Sequence, residues 1–432
     1  MNWLDEVIKQ HAELESPVSF WKWSAIAAIS AVLKDNVWID RGGAFNTYPN
    51  IYVMLHADSG LKKGPPVNMA KRLVTMVNTT RVITGRSSIQ AILKDMGTAV
   101  TGPGGKVNAK SVVFICSSEL TSSIVSDPVA TTILTDMYDR SYNEGDWKSL
   151  LKLETFQLRD PTITMLTATN EAMSGDFFSK AAIQGGFFAR TFIIYEKENT
   201  IDNSLTYPLE YKIDLPSLAV YLKELAQLKG PFKPFASIVE TDEYRFKKLK
   251  KSREGKREIW FSGPGVIYDD WYDEFKKMVR QQEIKDDTGT LNRFGDAVLK
   301  VAMLLSLAEY PVLEISENAM NLAIKECEKL IGNARRTTMG KTGMSTQSQL
   351  KTALVMELLN RDSHAISRQL LMKKMWMHYS TSEELDQLLL SFHNAGIILT
   401  EAVGNQIIYR MPDNEVEEYK NFMAGKNKAV KK

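Results

Sequence analysis

Thiol and imidazole groups are scarce in this chain, with two cysteines and five histidines among 432 residues. Cys116 and Cys327 lie far apart and cannot build a disulfide framework or a four-ligand zinc site. No HExxH or CxxC spacing occurs, so a catalytic metal cage is excluded and a reduced, cytosolic setting is expected. Long apolar runs are missing too. The most apolar N-terminal stretch, SAIAAISAVL (24–33), is about half of the roughly 20 residues a spanning helix needs. The chain also opens acidic, with Asp5 and Glu6, so a buried helix is expected rather than a signal peptide or membrane anchor. Nor is there an excess of one charge. Lys plus Arg number 54 against 52 for Asp plus Glu, a net charge of +2. That excludes a globally basic nucleic-acid coat and leaves room for a local basic surface.

What is present suits a globular chain of two or three domains, 44% hydrophobic and 25% charged. Residues 3–34 read as two helices broken near ESPVSF, because Pro17 cannot sit inside a helix. Five short runs follow: IYVML (51–55), RVIT (81–84), SVVFIC (111–116), TITMLTA (162–168) and RTFIIYE (190–196). They are rich in Val, Ile and Thr, and their apolarity is continuous rather than alternating. Strands covered on both faces have that texture, so the fold class is α/β with a parallel sheet. Beyond residue 209 the pattern turns helical, near 215–228, 240–254, 264–284, 293–308 and 316–336. The polar stretch RRTTMGKTGMSTQSQ (335–349) reads as a linker. After it come helices near 347–360, 367–375 and 381–395. Two strand-like runs around Gly404-Asn405 then complete a winged-helix pattern.

The strongest chemical signal is HADSGLKKGPP (56–66), between the first strand and the helical NMAKRLV. A phosphate loop needs glycine bends, inward N–H groups, a lysine for the outer phosphates and a helix N-terminus. Ser59, Gly60, Lys62, Lys63 and Gly64 are the candidate binding residues, with Lys63 at the phosphate-lysine position and Lys62 a neighbouring second candidate. Ala57 replaces the usual first glycine, and Gly64 replaces the hydroxyl residue that would hold magnesium. Pro65 and Pro66 remove two N–H donors. The same residues also fit a plain strand-to-helix turn.

SVVFICSSEL ends an apolar strand in Glu119, the place for an acid that polarises water or helps hold magnesium. Ser118 stands where an aspartate usually precedes it. Asn170, with Thr169, follows TITMLTA and is placed to orient a lytic water. Arg190 precedes the fifth strand, where it would reach the γ-phosphate of a neighbouring subunit or simply cap the strand. Loop lysine, acid, polar sensor and arginine thus occur in the order of a nucleotide hydrolase.

ESPVSFWKWSAIAAISAVL, VWIDRGG, YPNIYVMLHADSGLKKG, VITGRSS, SSEL, TATNEAM and GGFFAR together resemble an uncharacterised P-loop ATPase family of phage and mobile-element replication proteins. That family is related to primase-associated helicases and AAA+/RecA-like ATPases, and the resemblance spans roughly residues 15–330. It implies an ATP- and Mg2+-dependent, ring-forming DNA helicase or translocase in the host cytoplasm. Lys63 would bind phosphate, Glu119 would be the catalytic acid, Asn170 the sensor and Arg190 the finger, with Arg293 a second arginine sensor or a surface ion pair. On this reading the domains are an N-terminal helical collar (1–45), a P-loop core (46–209), a helical lid (210–334), a linker (335–346) and a winged helix (347–423).

For DNA, single-stranded or forked, the densest basic run is RFKKLKKSREGKR (245–257), with Lys247, Lys248, Lys250 and Lys251. Lys106 and Lys110, in GPGGKVNAK, would sit on a pore-facing loop. A solvated helix face explains the basic run equally well. The winged helix, with Arg368, Lys373, Lys374 and Arg410, suits DNA or a protein such as a primase. An alternative from another class is a non-catalytic, nucleotide-responsive replication initiator or helicase loader, favoured by Gly64 and Ser118. A metabolic kinase is disfavoured because nothing resembles an acceptor site.

Overall fold

The computed structural model describes residues 2–41, 46–85, 87–98, 111–118, 127–139, 146–150, 155–170, 186–199, 201, 213–233, 237–239, 248–251, 258–281, 290–339, 354, 357–358, 363–375, 382–403, 406–413 and 416. The chain divides into two compact units, Met1–Leu330 and Ile331–Lys432. The first is α/β. Its centre is a five-stranded, all-parallel sheet of β1 (Tyr52–Ala57), β2 (Arg81–Ile83), β3 (Val112–Ser117), β4 (Thr162–Asn170) and β5 (Thr191–Tyr195). These are the five apolar runs read from the sequence. Their order across the sheet is β2-β3-β4-β1-β5, so β1 lies inside, between β4 and β5. Ala57 is in register with Asn170, and Tyr52 with Thr191.

Helices cover both faces, which is why the strands are apolar throughout. Two N-terminal helices, α1 (Trp3–His11) and α2 (Val18–Leu33), form a broken pair around Pro17. Helix α2 is apolar all round, as a fully enclosed helix must be, and is buried from Phe20 to Leu33 apart from Lys22. It lies directly on the sheet. The Ser30 hydroxyl meets that of Thr164 at 2.9 Å, and the Trp23 ring stacks on Phe192 at 5.2 Å. On the other face, α5 (Pro128–Tyr138) takes a 2.8 Å hydrogen bond from the Tyr52 hydroxyl at the Leu134 carbonyl.

Helix α3 (Gly64–Val77) follows β1, and α4 (Ile89–Thr98) precedes β3. The later helices are α6 (Leu215–Leu225), α7 (Pro264–Gln281), α8 (Thr290–Glu309) and α9 (Glu317–Met339), of which α9 runs past the unit's end at Leu330. Two of them join the core directly. The Trp3 indole N–H donates to the Leu218 carbonyl of α6 at 3.0 Å, and α8 buries most of its length. The expected collar at 1–45 and the region expected as a lid at 210–334, as far as Leu330, fall in the same compact unit as the sheet. Within the expected linker, residues 335–339 continue α9, and 340–346 lie outside the described residues.

Of the helix expected near 240–254, the described residues, 248–251, are instead strand. Residues 248–251 pair antiparallel with 258–262, which also pair with 237–239. Lysine favours helix only weakly, and the alternating partner EIWFS decides the local structure.

In the second unit, β6 (Ala365–Ser367), α10 (Arg368–Met375), α11 (Ser382–Asn394), β7 (Leu399–Val403) and β8 (Gln406–Arg410) surround a core that includes Leu371, Leu389 and Tyr409. The strands are antiparallel, in the order β6-β8-β7. No helix among the described residues is long and apolar enough to cross a membrane.

Candidate nucleotide-binding site

Strand β1 delivers the chain to the carboxyl edge of the sheet, where ligands of open parallel sheets bind. Buried through Ala57, it gives way to an exposed turn and then to α3. Two residues in that turn have left-handed backbones, Gly60 (φ +101) and Lys62 (φ +36). Glycine takes that conformation without strain. Lys62 is followed by Lys63 with φ −66 and ψ −29. The change of backbone hand between Lys62 and Lys63 leaves a concavity at the start of α3. The N–H groups before it are already used, that of Leu61 by the Asp58 carbonyl at 3.5 Å and that of Lys62 by the Gly60 carbonyl at 2.8 Å.

The Lys63 ammonium folds back into this turn. It donates to the Ala57 carbonyl at 2.8 Å and to the Asp58 carbonyl at 2.6 Å. Burial lowers its pKa, and the nearby Asp58 charge acts against that shift. Helix α3 starts at Gly64 with no side-chain cap, so its N-terminal dipole faces the turn without a protein carboxylate in the capping position. A methyl group on Gly64 would meet nothing within 4 Å, so the space beside it is open. Lys62 points elsewhere, with its ammonium 3.6 Å from a Glu15 carboxylate oxygen. Ser59 and Gly60 lie on the exposed part of the turn.

Of the other expected residues, the structure brings one into line. Asn170 ends β4 with its backbone paired to Ala57, at the same edge as the loop. Glu119, Lys106, Lys110 and Lys247 lie outside the described residues, as do the side chains of Asn170, Lys248, Lys250 and Lys251. Cys116, on β3 beneath α3, donates to the Val67 carbonyl at 3.4 Å. Burial pushes its thiol pKa up to about 12, so it stays protonated and unreactive. Cys327 is also buried, with its pKa raised well above the ordinary value. Neither thiol should react with a thiol-specific dye in the native protein within the time that denatured chain reacts fully.

Arg190 stands apart. It directly precedes β5, which places it at the amino edge, the opposite end of the sheet from Lys63. The expectation of an arginine free to reach a neighbouring subunit is not met. Its side chain is 7% exposed, and its guanidinium is ion-paired with Asp139 and donates to the Gly186 carbonyl at 3.0 Å. Arg293, on α8, shares Asp139 at 3.1 Å. A methyl group on Gly186 (φ +77) would lie 2.8 Å from an Arg190 nitrogen. Gly186→Ala is therefore expected to destabilise the fold by about 1–3 kcal/mol. An unchanged thermal midpoint would show that this packing is loose.

Sequence reasoning missed this amino-edge network. Its deepest member is Lys300 of α8, which donates to the Asn50 carbonyl at 2.8 Å and to its side-chain oxygen at 2.7 Å. The same ammonium sits 4.1 Å from the Tyr138 ring centroid. A lysine inside an otherwise apolar helical stretch was the available signal.

No known protein-family model matches this chain, and neither does any curated protein.

Proposed function

We propose that the chain is a P-loop ATPase, with ATP held by the turn 58–64 and the start of α3. The observation that carries this reading is the turn itself. An interior strand of a parallel sheet runs into a tight glycine-containing turn, with the Lys63 ammonium folded back onto its first two carbonyls and an uncapped helix N-terminus behind. The triphosphate suits this cradle. The loop N–H groups and Lys63 would bind the outer phosphates, and Asn170 lies level with the loop at the end of β4. Pro65 and Pro66 contribute no N–H, so the cradle is shallower than a loop with a full set of donors.

Magnesium fits less well. Among the described residues no group of three or more His, Cys, Asp or Glu could hold a metal ion, and Gly64 supplies no hydroxyl. Mg2+ would enter with the nucleotide, and Glu119 is the acid proposed to meet it. Bound ATP supplies the phosphoanhydride whose hydrolysis drives movement. We further propose that the work is done on DNA, as a helicase or translocase assembled from several copies of the chain, with six in a ring the working expectation.

The second unit supports a winged-helix reading through its order of elements and the strand order β6-β8-β7. Docking to a protein suits it better than DNA. Helix α11 has no Lys or Arg and carries Glu383, Glu384 and Asp386. Arg368 is held by both oxygens of Asp386, at 2.9 and 2.6 Å, and Arg410 lies 3.5 Å from Glu401. A primase or another replication protein is the proposed partner.

A second reading is favoured by specific features: a nucleotide-responsive initiator or loader that hydrolyses little. Gly64, Ser118 and the inward-held Arg190 all weaken hydrolysis more than binding. Steady-state ATP hydrolysis with and without single-stranded DNA separates the two. DNA-stimulated turnover supports the motor, and tight ATP binding without turnover supports the loader.

A further inference from the structure

Lys62 has a side chain yet adopts a left-handed backbone in the middle of the proposed phosphate loop. Such a conformation is disfavoured for residues with a Cβ and persists when its surroundings hold it. The loop supplies one contact, the Lys62 N–H donating to the Gly60 carbonyl at 2.8 Å, and the N-terminal helices supply the others. The turn between α1 and α2 carries Ser16, whose hydroxyl donates to the Lys62 carbonyl at 2.7 Å. Ser16 is 2% exposed, so water competes little for this bond. Its own carbonyl accepts from the Trp21 indole at 3.2 Å, and Trp21 packs against the His11 ring at 4.3 Å. Pro17 follows directly and restricts the turn further. Glu15 adds the ion pair to the Lys62 ammonium. Because both side chains reach solvent, that pair contributes less than the part-buried Ser16–Lys62 hydrogen bond.

The same helical pair grips the sheet edge on the loop's other flank. The Ser19 hydroxyl donates to a Glu196 carboxylate oxygen at 2.5 Å, and the Glu196 N–H donates to the His56 carbonyl at 3.1 Å. The start of the phosphate loop is thus tied to α2 through β5, and its end is tied to the α1–α2 turn through Ser16.

We propose that Ser16, assisted by Glu15, is a positioning residue for the phosphate loop, holding Lys62 in the backbone conformation that opens the following N–H groups towards a nucleoside triphosphate. This rests on the reading of 58–64 as the phosphate site. The N-terminal helices are then part of the nucleotide site rather than a separate attachment, and displacement of the α1–α2 turn would loosen nucleotide.

Titration of the full-length chain with a fluorescent ATP analogue tests this. Ser16→Ala weakens binding about tenfold, equivalent to about 1.4 kcal/mol, and Ser16→Thr retains the hydroxyl and restores most of it. The decisive comparison uses Lys62→Gly, because glycine adopts the left-handed backbone without a brace. Whatever affinity Lys62→Gly itself has, adding Ser16→Ala to it changes nothing further. A purely structural serine would give the same loss on either background, and that result overturns the proposal. So does a Ser16→Ala protein that binds like wild type. If the wild-type chain binds no nucleotide, the phosphate-site reading fails and this proposal fails with it. Wild-type binding that is indifferent to Ser16 removes the brace alone.

Discussion

Lys63→Ala is expected to weaken ATP binding by about a hundredfold or more, equivalent to about 2.7 kcal/mol, and to reduce any DNA-stimulated hydrolysis to background. Two separate losses combine in this variant. The ammonium now ties Ala57 and Asp58 together through their carbonyls, so its removal loosens the first half of the loop. It is also the only lysine of the pair turned into the concavity, since Lys62 reaches outwards to Glu15. Charge-assisted contacts to phosphate are among the stronger hydrogen bonds, and this one forms where burial limits competition from water. Lys62→Ala is expected to have a much smaller effect, within about threefold, because it loses only an exposed ion pair. Equal defects in the two variants would show that the ammonium groups share the phosphate. Normal binding and turnover by Lys63→Ala would place the nucleotide elsewhere. The thermal midpoint without nucleotide controls for folding, because Lys63 is half-buried at the protein surface and outside the core.

The strands were legible because sheets covered on both faces need runs of Val, Ile and Thr with no polar alternation. IYVML, SVVFIC and TITMLTA have nothing else to become at that length. Their order across the sheet was not legible. β1 pairs with β4 and β5 through contacts distant in sequence, and no local pattern specifies them. The edge at which Arg190 lies could have been read directly. In a parallel sheet a residue just before a strand sits at the opposite end from a loop just after one, so Arg190 and Lys63 of one chain cannot meet. Helix α2 was legible too, because a helix apolar on every side is enclosed on every side, and it lies buried on the sheet. The lysine-rich stretch at 248–251 misled because composition there favours helix only weakly, while pairing with Glu258–Ser262 is a tertiary effect. Ser16 gave no sequence signal at all. Its importance follows from the φ of Lys62, which is visible only in three dimensions.

Lys300 carries the second large effect, and it appears as a dependence of stability on pH. Burial lowers the pKa of this lysine to about 7, opposed by the charges of Asp139 and Asp296 and reinforced by that of Arg190. In the unfolded chain a lysine titrates near about 10.4. Between those values the unfolded state binds more protons than the folded state, so stability rises with pH, with a slope of up to about 1.4 kcal/mol per pH unit. Below about pH 7 both states hold the proton, and the slope from this residue vanishes. Lys300→Met keeps the length and removes the titration. It also leaves the Asn50 carbonyl and side-chain oxygen without their present donor, at a cost of about 1–3 kcal/mol for each unsatisfied acceptor. The variant is therefore expected to be less stable than wild type at pH 9, with the gap narrowing as pH falls towards 7. Urea unfolding of both proteins at pH 6.5, 7.5, 8.5 and 9 measures the gap. Parallel curves across that range would mean that the Asn50 oxygens and the Tyr138 ring keep Lys300 charged throughout. The network would then fasten α8 to the start of the phosphate-loop strand as a fixed cation, and wild-type stability would owe nothing to proton release at this site.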